Sequence, residues 1–271
     1  MSLPRRLITT ADDFGVSLEV NRGVETAHRE GILRFASLMA KGPAFEDAVR
    51  IARANPGLGV GLHLELCPDK PELWGLKFYF QRSLRAFIEG QIRAQLDRVL
   101  ELGLRPTHVD GHFNIHVHPV VFPILARAAR AAGIARIRLP GGEVEAGVSY
   151  AWSQGRWADA AASLGLGGVF GALRRQLTRQ AEGLRVPERT FGLLRSGMMG
   201  TDYLLWLIDR LPPGTTEVYF HPSADPASAV TDRPTPTHRT VTELRTLMSP
   251  RVKEALARAG VLLVKPEESG D

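Results

Sequence analysis

The sequence predicts an α/β fold in which helices pack outside a parallel sheet, and a (β/α) barrel is the leading architecture. Short apolar, β-branched runs alternate with amphipathic helical segments along the chain, which is typical of repeated β-α units. The 271 residues, 44% of them hydrophobic, suffice for one large core. No Gly-x-Gly-x-x-Gly motif follows the first strand, so a dinucleotide-binding sheet has no support. We expect a barrel that is complete or has fewer than eight strands, with a doubly wound open sheet as the alternative.

Turn and breaker residues divide the chain into alternating elements. Asn55-Pro56-Gly57 ends a helix, because proline cannot continue one. Pro119 suits the first turn of a helix that Gly133 closes. The predicted strands are 7–11, 35–39, 58–66, 106–111, 135–139, 216–220 and 261–264, and the predicted helices are 18–30, 45–54, 83–102, 119–132, 201–211 and 241–258.

Two stretches interrupt this alternation, and we interpret them as insertions in a single domain spanning residues 1–271. They lie near residues 67–81 and 141–194, each after the end of a predicted strand. Ligands bind at the carboxyl ends of parallel strands in α/β folds. Both insertions are therefore expected to overhang the active face.

The composition excludes several function classes. The net charge is +5, but the basic residues are scattered without a block of five, so no nucleic-acid partner is expected. No run of about 18 apolar residues predicts a membrane span, and the N-terminus is not typical of a signal peptide. Cys67 is the only cysteine, which excludes an internal disulfide and favours a cytoplasmic location.

Two adjacent aspartates, Asp12 and Asp13, follow the first predicted strand. A strand that stops at this pair delivers two carboxylates to the ligand-binding edge of the sheet. Adjacent carboxylates repel each other, and a metal cation is the commonest reason for holding them together. The alternative is a turn followed by a helix, with Ser17 or Asp13 as the helix cap.

Histidines collect at the ends of other predicted strands. His63 lies on the third strand, His221 follows a late one, and four of the eight histidines fall within residues 108–118. Imidazole and carboxylate groups brought together from separate strands suit zinc, magnesium, manganese or similar cations. Ordinary core or surface histidines are the alternative.

Two further residues are positioned to support such a site. Strand alternation places Asp110 on the same face as His108 and His112, where its carboxylate can fix the tautomer of a ligating histidine. Arg138 ends another strand and is expected to pair with Asp12 and hold it ionised. An ordinary surface arginine is the alternative.

Four motifs together resemble those of the YdjC-like carbohydrate deacetylases. They are Thr10-Ala11-Asp12-Asp13-Phe14-Gly15, Gly61-Leu62-His63-Leu64, His108-Val109-Asp110-Gly111-His112 with His116, and Glu217-Val218-Tyr219-Phe220-His221-Pro222. They occur in the family's order and span most of the chain. Stretches such as Glu19-Val20-Asn21 and Lys77-Phe78-Tyr79-Phe80 are similar to the branch associated with hopanoid biosynthesis.

The resemblance implies a (β/α)-barrel-like glycoside hydrolase/deacetylase fold and the hydrolysis of an N-acetyl group on an amino sugar. In the hopanoid branch the implied substrate is an N-acetylglucosaminyl hopanoid. The implied cofactor is one divalent metal ion, Mg or Zn, held by Asp13, His63 and His112, with Asp12 as base and His221 as acid. The residues expected around the metal or substrate are Asp110, His116, His118 and Arg138, with His116 as reserve ligand. Many relatives carry a denser histidine run where this chain has Phe113-Asn114, so those two positions receive no role.

Two other function classes stay open on the residues alone. A metal-dependent hydrolase of another sugar-linked bond, glycosidic or phosphoester, uses similar Asp and His groups. The second class is a non-catalytic sugar- or lipid-binding protein that keeps a metal. The presence of Asp12 and His221 argues against it, because such a protein needs neither a base nor an acid. We expect a homo-oligomer.

The first insertion suggests contact with an amphiphilic substrate or the inner membrane surface. Residues 73–82 place Trp74, Phe78 and Phe80 beside Lys77 and Arg82, a mixture that suits the headgroup region of a bilayer. Peripheral membrane contact and a lipid-linked substrate are therefore expected, and the apolar stretch 164–173 of the second insertion could complete the same surface. The alternative is that these aromatic residues close the pocket.

Overall fold

The structure, a computed structural model, describes residues 3–224 and 237–270, and these ranges form a curled parallel sheet surrounded by helices. The strands are β1 (Arg5–Phe14), β2 (Phe35–Leu38), β3 (Gly59–Leu64), β4 (His108–Gly111), β5 (Arg136–Ile137), β6 (Arg189–Phe191), β7 (Gly214–Phe220) and β8 (Leu262–Leu263). Seven of them follow the order β5-β4-β3-β2-β1-β7-β6, and β8 pairs with β1. The predicted barrel-like α/β fold with fewer than eight strands along its main path is confirmed.

The segment that leads into β6 brings the two sides of the curled sheet together. Arg185 exchanges backbone hydrogen bonds with the β5 region, donating to Ala135 at 2.8 Å and accepting from Ile137 at 3.0 Å. The same segment continues into β6, which pairs with β7. The strands thereby enclose an interior whose carboxyl end carries the candidate site.

The described helices pack on the outside of this sheet. They are α1 (Leu18–Glu30), α2 (Phe45–Ala54), α3 (Pro71–Phe80), α4 (Leu84–Glu101), α5 (Val121–Ala131), α6 (Val144–Ser153), α7 (Trp157–Thr178), α8 (Thr201–Ile208), α9 (Thr237–Met248) and α10 (Pro250–Ala259). The Ser17 hydroxyl caps α1 by accepting from the Val20 N–H at 3.2 Å. Val20, Val24 and Ala27 bury the inner face of that helix.

The segment 241–258 is helical as predicted, but it is divided into two helices. Met248 ends α9, Ser249 has an extended conformation, and Pro250 opens α10. Proline disfavours a helical conformation at the residue before it and lacks the N–H that a continuous helix needs. Proline at the first position of a new helix is well tolerated.

The two insertions contain regular structure that the sequence patterns did not predict. The first holds α3, whose apolar residues lie all around the helix, so no periodic stripe marks it. The second holds α6, α7 and β6. Glycine disfavours helix, and α7 contains four glycines, so residue propensities do not predict this helix. Both α3 and α7 contact the turn at His112–Val117, so a helix of each insertion lies beside the turn that begins at His112.

Within the described residues, no helix has both the length and the apolar character needed to cross a membrane.

Candidate functional site

A local distortion of β1 turns Asp12 and Asp13 toward the same region. In a regular strand, adjacent side chains point to opposite faces. Here Asp13 has a left-handed backbone with φ of 63°, and the pairing with β2 shifts register between Ala11 and Phe14. Both aspartates are buried, and both lie close to His63. The irregular backbone therefore brings two adjacent carboxylates to one site.

Asp13, His63 and His112 form the first cluster at the carboxyl ends of the strands. His112 Nδ1 lies 2.9 Å from Asp13 Oδ1, and His63 Nε2 lies 3.3 Å from the same oxygen. One potential ligand atom of each residue falls within 4.8 Å of the others. The left-handed conformations of Phe113 and Asn114 form the turn that follows His112.

Asp110 holds His63 from the side opposite this cluster. Asp110 Oδ1 lies 2.6 Å from His63 Nδ1, which leaves Nε2 facing Asp13. Asp110 Oδ2 accepts a hydrogen bond from the Ser37 hydroxyl at 2.7 Å. Burial would raise the pKa of Asp110, but Arg138 and His63 lower it below its ordinary value. This carboxylate can orient a metal-ligating imidazole.

Arg138 links three buried carboxylates. It donates to both oxygens of Asp12, from Nη1 at 2.7 Å and from Nη2 at 2.9 Å. Its Nε donates to Glu217 Oε1 at 3.1 Å, and its Nη2 lies 2.8 Å from Asp110 Oδ2. The expected Arg138–Asp12 pair is present, and its guanidinium is buried over the Tyr219 ring. A bidentate pair of this kind fixes the Asp12 carboxylate in one orientation.

Glu243 of α9 holds the segment that carries His221. The His221 N–H donates to Glu243 Oε2 at 2.5 Å, and His221 Nδ1 lies 3.7 Å from the same oxygen. Glu243 Oε1 also accepts from the Met199 N–H. The sequence analysis missed this residue, because a lone glutamate on a helix carries no local motif. The sequence analysis included Glu217 in a motif but gave it no role, although a carboxylate inside an apolar strand is a detectable signal.

The two remaining predicted residues, His116 and His118, do not belong to the Asp13 cluster. His116 is fully buried, and its Nε2 lies 3.0 Å from the Arg138 carbonyl oxygen. Burial is the main reason that the pKa of His116 falls to about 4. His118 instead packs against Phe78 and Tyr79 of α3, with ring centroids 5.9 and 4.7 Å away. His116 therefore supports the backbone of Arg138, whereas His118 supports α3.

The first cluster fits a divalent cation on the chemistry of its donors. His63 Nε2 is buried and makes no hydrogen bond of acceptable geometry among the described residues. Four buried carboxylates, those of Asp12, Asp13, Asp110 and Glu217, surround the region. Arg138 and Arg136 supply two positive charges near these four carboxylates, so the carboxylate charge exceeds the arginine charge. One carboxylate oxygen and two imidazole nitrogens suit zinc and related cations.

The protonation of His63 gives a test of this cluster. Burial lowers the pKa of His63, but Asp110 and Asp12 outweigh that effect and raise the pKa to about 10. Without a cation His63 is therefore protonated at neutral pH, and a metal bound at its Nε2 must displace that proton. We expect the apparent metal affinity to rise from about pH 6 to about pH 9. Calorimetry in buffers of different ionisation enthalpy measures the proton release, and a pH-independent affinity without proton release would contradict it.

The fold and this cluster define a barrel-like α/β protein with a candidate metal centre at the carboxyl ends of its strands. The chain belongs to the YdjC-like protein family, whose profile matches residues 6–258.

Curated relatives match about half of the chain. A "Carbohydrate deacetylase" of Geobacillus stearothermophilus is 41% identical over 150 residues, which are 51% of this chain and 59% of the relative. A "Chitooligosaccharide deacetylase" of Escherichia fergusonii is 36% identical over 148 residues, 49% of this chain and 59% of the relative. The chain thus aligns with well under two thirds of the length of these relatives.

Solved structures support the fold across almost the full chain. A protein of Enterococcus faecalis V583, provisionally named for cellobiose-phosphate cleavage, superposes with a TM-score of 0.72 at 22% identity, covering 97% of this chain and 98% of that one. An uncharacterised protein of Agrobacterium tumefaciens C58 superposes with a TM-score of 0.52 at 13% identity, covering 97% and 88%. At such low identities the similarity concerns the fold alone.

Proposed function

We propose that this protein is a metal-dependent carbohydrate deacetylase that removes an N-acetyl group from an acetylated amino sugar. One observation carries the proposal: Asp12, fixed by Arg138, lies beside the Asp13, His63 and His112 cluster. A carboxylate that is held in a fixed position beside a candidate metal site is suited to accept a proton there. Membership of the family and the names of the two curated relatives support the same activity.

In this proposal Asp13, His63 and His112 would hold one divalent cation, Mg or Zn. Such an ion, when bound, polarises the amide carbonyl and acidifies a water molecule. Asp13 contributes the anionic oxygen, and Asp110 keeps the His63 ring oriented through its Nδ1. His112 contributes a second imidazole from the start of the turn after β4.

In this proposal, proton transfer falls to two residues, Asp12 and His221. Asp12 accepts the proton of the attacking water, while Arg138 holds its carboxylate in place. His221 donates a proton to the leaving amine. Glu243 is a positioning residue, because it binds the His221 backbone and lies 3.7 Å from Nδ1.

We expect His221→Ala to lower kcat by about two decades while leaving the metal content unchanged, which is the lower range for a missing acid-base group. The defect should be smaller for substrates with better leaving amines, because those need less protonation. Anilide and alkyl amide analogues of one acetylated substrate provide the comparison. Equal defects across that series would remove His221 from the role of acid.

Activity on defined substrates tests the proposed function. The purified protein, loaded with Mg or Zn, is expected to release free acetate from N-acetylglucosamine oligosaccharides, and a chelator is expected to stop the release. Glycosidic and phosphoester substrates of the same sugars are the controls. Turnover of those controls without acetate release would favour the other hydrolase class, and metal-dependent sugar binding without any turnover would favour a binding protein.

The finer proposal is that the acetylated sugar is lipid-linked, as in an N-acetylglucosaminyl hopanoid. Exposed apolar side chains lie on both insertions: Leu73, Leu76, Tyr79 and Phe80 on α3, and Trp152, Trp157, Leu164 and Val169 on α6 and α7. We propose that they form one apolar surface beside the site, since a contiguous exposed apolar patch is typical of interaction sites. Phe78, in contrast, is buried, and Trp74 is partly buried under Lys77, so these two belong to the packing of α3.

We expect the protein to float weakly with liposomes that contain anionic lipid, through this apolar surface. A Leu76→Ser, Phe80→Ser, Trp157→Ser variant should stay at the bottom of the gradient and still bind metal. A Phe87→Ser, Leu100→Ser, Leu262→Ser variant, which changes exposed apolar residues outside that surface, is the matched control and should float like the wild type. Flotation that is equal in all three proteins, or absent from the wild type, would contradict peripheral membrane contact.

A further inference from the structure

A polar cavity lies at the end of the barrel opposite to the candidate active site. Its volume is about 270 Å³, and its lining includes Arg6 near the start of β1, Arg136 at the start of β5 and Thr215 near the start of β7. Arg185 and Val186, from the segment that joins β5 to β6, form another wall. The amino ends of the strands therefore converge on it, whereas the proposed deacetylase residues lie at the carboxyl ends.

Arg136 is the unusual residue of this cavity. Its side chain is almost fully buried, with 3% of the residue exposed, and the guanidinium lies 4.3 Å from the centre of the Phe35 ring. Neither Nη1 nor Nη2 has a hydrogen-bond partner within the part of the chain that the structure describes. Burial lowers the pKa of Arg136, with attraction to Glu217 opposing it. Leaving charged N–H groups buried and unpaired is costly, and a ring face replaces only part of the lost hydration.

No acidic side chain hydrogen-bonds to Nη1 or Nη2 of Arg136 within the described residues. Glu217 Oε1 accepts from Thr10 and Arg138, and Glu217 Oε2, like the two Arg136 nitrogens, has no hydrogen-bond partner in that part of the chain. Glu268 pairs with Arg6 at 2.9 Å, and Glu188 Oε2 accepts from the Thr215 N–H at 2.7 Å. Three arginines and two glutamates, Glu188 and Glu268, line the cavity, which leaves one positive charge in excess. The exposure of the arginines increases from buried Arg136 to partly exposed Arg6 and exposed Arg185. This order gives an anion a positively charged path toward Arg136.

We propose that this cavity binds an oxyanion of the phosphate class, with Arg136 as its buried anchor. A guanidinium with two free donor nitrogens matches two oxygens of a tetrahedral phosphate. The cavity is larger than inorganic phosphate and leaves room for the substituent of a small phosphate monoester. The proposal does not depend on the deacetylase activity, because it concerns the other end of the barrel.

Calorimetric titration with inorganic phosphate tests the site, with sulfate, chloride and glycerol 3-phosphate titrated at matched ionic strength. The titrations use the full chain carrying His63→Ala, so that phosphate bound at the candidate metal centre does not contribute. We expect one phosphate per chain and no comparable binding of chloride. A monoester that binds more tightly than inorganic phosphate would identify the esterified form as the ligand, and the reverse order would identify the free ion.

Two variants locate the bound phosphate. Arg136→Met removes the charge but keeps an unbranched apolar chain, and we expect it to weaken phosphate binding at least about tenfold, as for the loss of one charged hydrogen-bonded pair. Val186→Trp leaves Arg136 in place and fills the cavity from a partly exposed wall, with the same expected loss. If Arg136→Met does not fold, Val186→Trp decides. Phosphate that binds no better than chloride, or that binds both folded variants as it binds the parent, would overturn the proposal.

Discussion

His63→Ala is expected to lose bound metal and to lower kcat/KM by about three decades or more. The substitution removes the imidazole whose Nε2 lies 3.3 Å from Asp13 and whose Nδ1 is held by Asp110. A catalytic cation contributes several kcal/mol to the stability of the transition state, and each 1.36 kcal/mol corresponds to tenfold in rate. Metal content by elemental analysis and acetate release together measure the effect.

The matched control is His116→Ala, another buried histidine from the same stretch. His116 Nε2 contacts the Arg138 carbonyl rather than Asp13, so this variant should keep its metal. If His116→Ala lost its metal while His63→Ala kept it, the metal ligand would be His116 and not His63. Asp13→Asn and His112→Ala should behave like His63→Ala, because they remove the other two proposed donors.

The general position of the site was predictable because a parallel sheet gathers the carboxyl ends of its strands at one edge. The sequence alone located Asp12, His63 and Asp110 at such ends, and the alternation of strands and helices predicted the sheet. The pairing of Arg138 with Asp12 follows from the same logic, since β5 ends where the carboxylates collect. These inferences need only strand direction and residue chemistry.

The finer geometry was not predictable, because it depends on contacts between residues distant in sequence. Strand alternation alone would separate Asp12 from Asp13, and only the left-handed backbone of Asp13 turns both toward His63. Glu243 reaches His221 from a helix 22 residues farther along the chain. Hydrophobic periodicity also fails for α3 and α7. In α3 the apolar residues lie all around the helix. In α7 the buried face includes Ala160, Ser163 and Gly167, while large apolar residues such as Leu164 are exposed, so the buried face carries no apolar pattern.

The buried charges around Arg138 also explain why its removal would be hard to interpret. Arg138 contacts Asp12, Asp110 and Glu217, so Arg138→Ala would leave three carboxylates without their shared cation. Breaking a buried ion pair by deleting one partner is strongly destabilising. A substitution that changes one carboxylate and keeps the guanidinium gives a clearer test of the proposed chemistry.

Asp12→Asn meets that requirement, and we expect it to keep its metal while lowering kcat by at least about two decades. The amide can still accept a hydrogen bond from Arg138 through its oxygen, but it cannot accept a proton from water at neutral pH. Because Asp13, His63 and His112 are unchanged, the metal affinity should stay close to that of the wild type.

Glu217→Gln is the matched control for Asp12→Asn, because Glu217 is the other buried carboxylate to which Arg138 donates through two nitrogens. It changes the charge beside Arg138 by the same amount but leaves the proposed base intact. If the loss of turnover came only from disturbing Arg138, both variants would lose activity equally. If Asp12 accepts the proton, Asp12→Asn is much the slower enzyme and Glu217→Gln retains most of its kcat. Near-normal turnover by Asp12→Asn would instead require that the water be deprotonated by another group.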